Sequence, residues 1–331
     1  MRFGPVPVAA AEGAILAHSV PVEGGRIRKG QLLQADDIAR LAAAGLGEVV
    51  VARLEPGDMG EDAAAEVVAA ALVPQPEAAG LTLTPAATGR VNVYARGPGV
   101  LRVDAAAIHA ANRVDPMITI ATLPDFSRTG ERLMVATVKI ISYGVPAASV
   151  EAAALAARGA LRVAPVRLKT ASLIITDIGS GPGKGEEATR ARLAALGMEL
   201  AEVRVVPHRV GLLAGALAEV TTDLALILTA SATSDPRDVG PEAVRRAGGV
   251  VERFGMPVDP GNLLFLGRIG ARPVIGLPGC ARSPALNGAD WVLERVVCGL
   301  WPSADDIAAM GVGGLLKDIP ARGLMRERAR R

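Results

Sequence analysis

From Leu168 onward the chain alternates between short apolar runs and longer mixed stretches, and this alternation is its clearest pattern. Ala171-Ser172-Leu173-Ile174-Ile175-Thr176, Glu199 to Val206, Leu224 to Leu228 and the run after Pro273 read as strands. Glu186 to Leu196, Gly211 to Val220 and Pro241 to Ala247 read as helices, and Gly197 closes the first of them. Strands separated by helices of about 8 to 12 residues predict a parallel sheet with right-handed crossovers, covered on both faces. The expected fold is therefore α/β, with three layers. Ligands of open α/β sheets lie beyond the carboxyl ends of the strands, so the loops that leave those ends predict the rim of a site. They are Asp177 to Gly185, Thr229 to Asp238, and Pro278-Gly279-Cys280-Ala281-Arg282-Ser283-Pro284.

The first half of the chain patterns differently. Ala14 to Val20 reads as extended, Gly24-Gly25 as a turn, Ala35 to Ala44 as a helix and Glu48 to Ala52 as a strand. Asp36 and Asp37 favour the helix's first turn, and Gly45 suits the left-handed position just past its end. An Ala/Val helix from Glu61 to Val73 is broken by Pro74-Gln75-Pro76. Extended segments then dominate, at Gly89 to Ala95, Val100 to Val103, Met117 to Leu123 and Leu133 to Ser142, around an Ala-rich helix from Asp104 to Asn112. The expected domains are an N-terminal α/β module at 1–78, a mainly β module at 79–165, the α/β domain at 166–300 and a tail at 301–331.

Composition narrows the function classes. Half of the 331 residues are hydrophobic and only 2% are aromatic, so the core must be built from Val, Leu, Ile and Ala. That mix packs well on a parallel sheet and offers little for stacking bases, which argues against nucleic acid as a partner. The net charge of +2 comes partly from Arg322, Arg326, Arg328, Arg330 and Arg331, a run that reads as a solvated end and, as the alternative, as a nucleic-acid arm. Two cysteines make no disulfide framework, no apolar h-region follows Met1-Arg2, and no apolar stretch nears the roughly 18 residues of a membrane span. A reduced, cytoplasmic protein without a membrane partner is expected. A half-apolar chain with few aromatics also has apolar surface to cover, which favours a homo-oligomer, in first place a dimer.

Several residues carry candidate chemistry. Gly179-Ser180-Gly181-Pro182-Gly183-Lys184-Gly185 lies between a strand and a helix, where backbone N–H groups can cradle an anion; it reads equally as a flexible turn, and it lacks the P-loop spacing. Asp238, three residues before Pro241, reads by position as part of a helix cap. Beside Thr229, Ser231, Thr233 and Ser234 it reads as a site residue instead. Arg209 and Arg282 are candidate phosphate grips or surface residues, His208 a rim residue rather than a base, and Cys280 an exposed thiol without a histidine close in sequence.

These motifs also carry a resemblance. Thr229-Ala230-Ser231-Ala232-Thr233-Ser234, Asp238-Val239, Pro241-Glu242-Ala243, then Val258-Asp259-Pro260-Gly261-Asn262 and Val274-Ile275-Gly276-Leu277-Pro278-Gly279 resemble the molybdopterin-binding domain of molybdenum cofactor biosynthesis, over roughly 166–300. That family includes the halves of gephyrin and the bacterial adenylyl- and molybdenum-transferases. The resemblance implies molybdopterin or the molybdenum cofactor as ligand, Mg²⁺ as a candidate ion, and a site at Asp177, Gly181, Gly183, Thr229, Ser231, Thr233, Ser234, Gly261, Asn262, Pro278, Gly279, Cys280, Arg282 and Ser283. Asp238 would be the catalytic and metal-orienting residue. Upstream, Arg28-Lys29-Gly30 to Leu46-Gly47-Glu48-Val49-Val50-Val51 resembles the segment preceding this domain in molybdenum-insertion enzymes. The region 81–145 resembles one found in proteins fused to a nucleotidyltransferase.

The departures are informative. Ala230-Ser231 replace the usual Gly-Gly, Asp235 a Gly, Asn262 a Lys, and Cys280-Ala281 an Asn-Pro; His208-Arg209 stand where adenylyltransferases carry an aspartate pair. No Gly-x-Ser-x-Arg-Met-Gly nucleotide loop is present, so a nucleotidyltransferase must be another chain. The expected function is a molybdopterin-binding or carrier protein serving a separate nucleotidyltransferase or molybdoenzyme; the alternative is a molybdopterin adenylyl- or molybdenum-transferase.

Overall fold

The computed structural model describes residues 1–179, 181 and 183–316; Ser180, Pro182 and the C-terminal arginine run lie outside the described residues. The chain forms two compact units, one of residues 1–97 and 101–163, the other of 98–100 and everything from 164 onward.

In the first unit a small core gathers Val8, Leu16, Ile27, Leu33, Leu41 and Val51. Its sheet pairs the strand Glu48–Arg53 with Arg2–Pro7 on one side and Ile15–Leu16 on the other, all antiparallel. Arg2–Pro7 was not legible as a strand because Pro5 and Pro7 remove donors, which only an edge position tolerates. The helix Ala35–Ala43 is capped by Asp37, whose carboxylate accepts from the Gln34 N–H at 3.1 Å, and it ends at Gly45, φ +77°.

A second core in this unit runs from Ala64 to Val163 and joins the helix Glu61–Leu72 to a four-stranded antiparallel sheet of 118–122, 134–140, 90–95 and 81–83. Alternate burial along Arg90–Ala95 turns Val91, Val93 and Ala95 inward. The helices Ala105–Asn112 and Ala147–Ala157 complete it. The latter, AASVEAAALAA, is apolar almost all round, so it carries no stripe for periodicity to detect.

The second unit is a three-layer α/β domain. Its sheet runs in the order 199–207, 170–177, 224–228, 272–277, 265–269, 250–254. The first four strands are parallel. The last two, Phe265–Ile269 and Val250–Phe254, extend the sheet as an antiparallel hairpin that the strand-helix alternation did not reveal. Successive side chains of a strand point to opposite faces, which assigns the layers. Ile174, Ala225, Ile227 and Val274 pack under the helices Val210–Ala218 and Val239–Arg246. On the opposite face Leu228 meets the start of the helix Gly185–Ala194, which is tied by Arg192 to Asp290 on the helix Gly288–Val297. Among the described residues no helix is long and apolar enough to cross a membrane.

Candidate functional site

Strand register brings the loops to one level. Ile175 pairs with Leu228 and Leu228 with Leu277, so the loops that follow these strands leave the same end of the sheet. Phe254 pairs with Phe265 and Phe265 with Gly276, which places the hairpin loop 255–264 at that end too. From 170–177 the chain moves to one neighbour and from 224–228 it moves toward the other edge, so the crevice between their loops is a topological switch point.

Buried Thr176 joins two of these loops. Its Oγ1 accepts the Ala230 N–H at 2.8 Å and lies 2.8 Å from His208 Nδ1. Asp177 folds its loop back by accepting the Gly181 N–H at 3.0 Å. Gly181 and Gly183 adopt left-handed backbones, φ +83° and +67°, which a side chain would resist. Gly185 leaves space where a Cβ would crowd Leu228 Cδ2, which lets the helix start close to the sheet.

The hydroxyls of 229–238 divide into two groups. Thr229 donates to the Ser231 carbonyl at 2.7 Å and Thr233 meets Thr229 Oγ1 at 3.1 Å; both threonines are buried and shape the loop from within. Ser231 and Ser234 are exposed. Asp238 caps the helix Val239–Arg246, with Oδ1 accepting from Val239 N–H at 2.7 Å and Oδ2 from Ser234 N–H at 3.2 Å. Asp235 sits below the ordinary carboxylate range because the Arg237 backbone N–H and then its guanidinium stabilise the anion.

The segment 278–287 is held by two arginines. Arg282 donates to the Thr229 carbonyl at 3.0 Å, and its guanidinium would lie 3.3 Å from a Cβ on Gly183, so it touches all three strand-end loops. Arg192, itself buried, gives Nε to Asp290 at 2.5 Å, Nη1 to Ala281 O at 2.8 Å, and Nη2 to Ser283 O at 2.7 Å and Ala285 O at 3.1 Å. Neither Arg192 nor Thr176 was recognised in the sequence. Arg192 sits on the inward stripe of its helix with Ala188, Thr189 and Leu193, where a charge signals a partner. Pro278 is buried, while Gly279 and Ser283 are exposed and Cys280 half-buried. Gly261, buried, packs on Gly288, where a Cβ would meet the Gly288 nitrogen at 2.7 Å, and Asn262 beside it is exposed. All the expected site residues therefore lie on this end of the sheet.

The two thiols differ. Cys298 is buried, and that burial, reinforced by Glu294, pushes its pKa up to about 12. A disulfide-exchange reagent at mildly alkaline pH should titrate at most one thiol per native chain, Cys280, and both after unfolding. Two fast-reacting thiols in the native protein would contradict this.

Beside the loops a cavity of about 480 Å³ opens, lined by Asp177, Ile178, Gly179, Val205 to Pro207, His208 and Arg209. Ile178 and Val205 are exposed, giving it apolar walls between polar ends. The arrangement is that of an α/β domain with its polar loops and a cavity gathered at the strand ends.

Comparison with known proteins gives the following. A family model described as a domain of unknown function (DUF8806) matches residues 5–53. No curated protein matches the chain. Among solved structures, it is similar to the molybdopterin biosynthesis enzyme MoaB from Thermus thermophilus, at 20% identity and TM-score 0.29 over 40% of this chain and 98% of that one. It is also similar to the molybdopterin biosynthesis MoeA protein from Pyrococcus horikoshii, at 12% identity and TM-score 0.33 over 90% and 75% of the two chains. A third is a molybdopterin biosynthesis protein from Mycobacterium abscessus, at 16% identity and TM-score 0.29 over 40% and 94%. Likeness at these scores gives no residue of this chain a role.

Proposed function

We propose that the second unit binds a molybdopterin-type ligand on this rim and acts in molybdenum cofactor biosynthesis or delivery, as a binding or carrier protein for a separate nucleotidyltransferase or molybdoenzyme. The observation that supports it most is the convergence of the motif-bearing loops at the switch point, held there by Thr176, Arg192 and Arg282. The neutral edge of a pterin asks for backbone N–H groups and small hydroxyls. Gly179, Gly181, Gly183, Ser231, Ser234, Gly279 and Ser283 offer these at the surface, while Thr229 and Thr233 hold the loop's shape.

Mg²⁺ prefers several oxygen donors in an octahedron. Asp238 already accepts two backbone N–H groups and would hold a hydrated ion weakly on its own. In the cavity, Asp177 is the one carboxylate among the lining residues and stands with His208 and Arg209. Among the described residues no group of three or more His, Cys, Asp or Glu side chains gathers. The cavity's donor set does not fit a protein-held Mg²⁺.

Isothermal titration with molybdopterin and with its adenylylated form, each with and without Mg²⁺, tests the reading. Asp238→Ala should weaken binding about tenfold while the fold survives, because a lost cap costs only about 1 kcal/mol. Asp238→Asn, which keeps an acceptor for the cap, separates charge from capping. Absence of heat with either ligand would sink the proposal, and rapid ATP- and Mg²⁺-dependent adenylylation by the purified chain would replace the binder by an adenylyltransferase.

A further inference from the structure

The cavity at 177–179 and 205–209 has a defined polarity. Buried Thr176 uses its oxygen to accept the Ala230 N–H, and a buried hydroxyl must also place its own proton. Among the described residues the acceptor within reach is His208 Nδ1, at 2.8 Å. Thr176 therefore donates to Nδ1, and the neutral imidazole carries its hydrogen on Nε2 as a donor. The side chain of Arg209, the next residue, makes no hydrogen bond or ion pair with another described residue, so its five N–H donors are uncommitted. Nor does that side chain cap the helix Val210–Ala218 that it precedes. The mouth of the cavity thus offers an imidazole N–H and a guanidinium side by side, where a cation site would need carboxylates.

We propose that this cavity takes an anionic group, a phosphate or diphosphate, directly on Arg209 and the Nε2–H of His208, with no divalent cation between protein and ligand. Arg209 occupies the electrostatic place that a metal would take, so Mg²⁺ competes with the protein for the anion rather than bridging to it. The inference deepens the functional reading above and rests on it only for the identity of the natural ligand, the phosphate-bearing end of a pterin.

The test is calorimetric titration of the full chain with inorganic pyrophosphate, in EDTA and in excess Mg²⁺, for wild type, Arg209→Ala, His208→Ala and the double variant His208→Asp/Arg209→Asp, each checked for a native circular dichroism spectrum. Wild type should bind in EDTA and more weakly in Mg²⁺. Arg209→Ala should lose about tenfold or more in EDTA, since hydrogen bonds to charged groups contribute about 1.5–3 kcal/mol each. His208→Ala should lose less, and the double variant should lose Mg²⁺-free binding and bind only when Mg²⁺ is present. Wild-type binding that requires Mg²⁺, no pyrophosphate binding in either arm, or affinity unchanged in both single variants would each overturn the proposal. Molybdopterin separates the two ideas. If pyrophosphate behaves as described while molybdopterin does not bind, the functional reading falls and the anion subsite stands. If molybdopterin binds wild type and Arg209→Ala equally, the subsite proposal falls and the functional reading stands.

Discussion

Arg192→Met should destabilise the second unit by about 3–5 kcal/mol, the effect of breaking a buried ion pair by removing one partner. The substitution keeps the aliphatic stem and removes the guanidinium. It strands the Asp290 carboxylate, only 6% exposed, with the Asn287 N–H as its remaining partner. It also leaves the carbonyls of Ala281 and Ser283 without their arginine donor, and that of Ala285 with Asn287 Nδ2 alone, in the loop that carries Arg282. Arg192→Lys should recover little, because a point charge cannot span four acceptors that a planar fork reaches together. Urea denaturation followed by circular dichroism measures the loss, and ligand titration of the folded fraction measures what happens to the rim. A loss below about 1 kcal/mol would mean that the loop is held by something other than this arginine.

The other large effect is expected at Gly276, in the strand below the rim. A Cβ there would stand 1.9 Å from Phe265 Cε1 and 2.2 Å from Cδ1 of the same ring. Gly240 faces the same ring, where a Cβ would stand 2.9 Å from Cε1, so two glycines make room for Phe265. Phe265 is among the largest fully buried side chains, in a core that has few aromatics to rearrange. Gly276→Ala should therefore cost about 3 kcal/mol through overpacking. Phe265→Leu alone leaves a void, but combined with Gly276→Ala it makes room for the new methyl. The pair should be more stable than the sum of the two single changes by about 1 kcal/mol or more. Strict additivity in a double-mutant cycle would show that the ring and the glycine do not determine each other.

Much of the second unit was legible in the sequence. The centres of the runs 170–177, 224–228 and 272–277, Leu173 to Ile175, Leu224 to Leu228 and Val274 to Leu277, are apolar and buried, as strands covered on both faces must be, and turn residues mark where each one stops. The hairpin 250–254 and 265–269 was not legible, because its outer strand is half-exposed and the loop between carries its own Gly and Pro breaks. In the first unit the Ala-rich helix Ala147–Ala157 escaped for a different reason: without a polar face, its sequence has no period.

The site divides the same way. Sequence by itself determined that these polar loops lie at strand ends, because polar and small residues following a buried strand can only lie at its end, and it set His208-Arg209 where the resemblance implies an aspartate pair. Only tertiary structure decided which groups remain available to a ligand. Thr229 and Thr233 look like ligand hydroxyls in the sequence, yet they bond to their own loop, and for Asp238, which the sequence left between helix cap and site residue, the fold shows the cap. Arg192, which the sequence reading did not single out, is the buried clamp of the 281–285 loop. The reason is physical: hydrogen-bonding groups are satisfied by whatever the fold brings within about 3 Å, and those partners, here between 89 and 98 residues apart for Arg192, are set by strand order and helix packing rather than by local pattern.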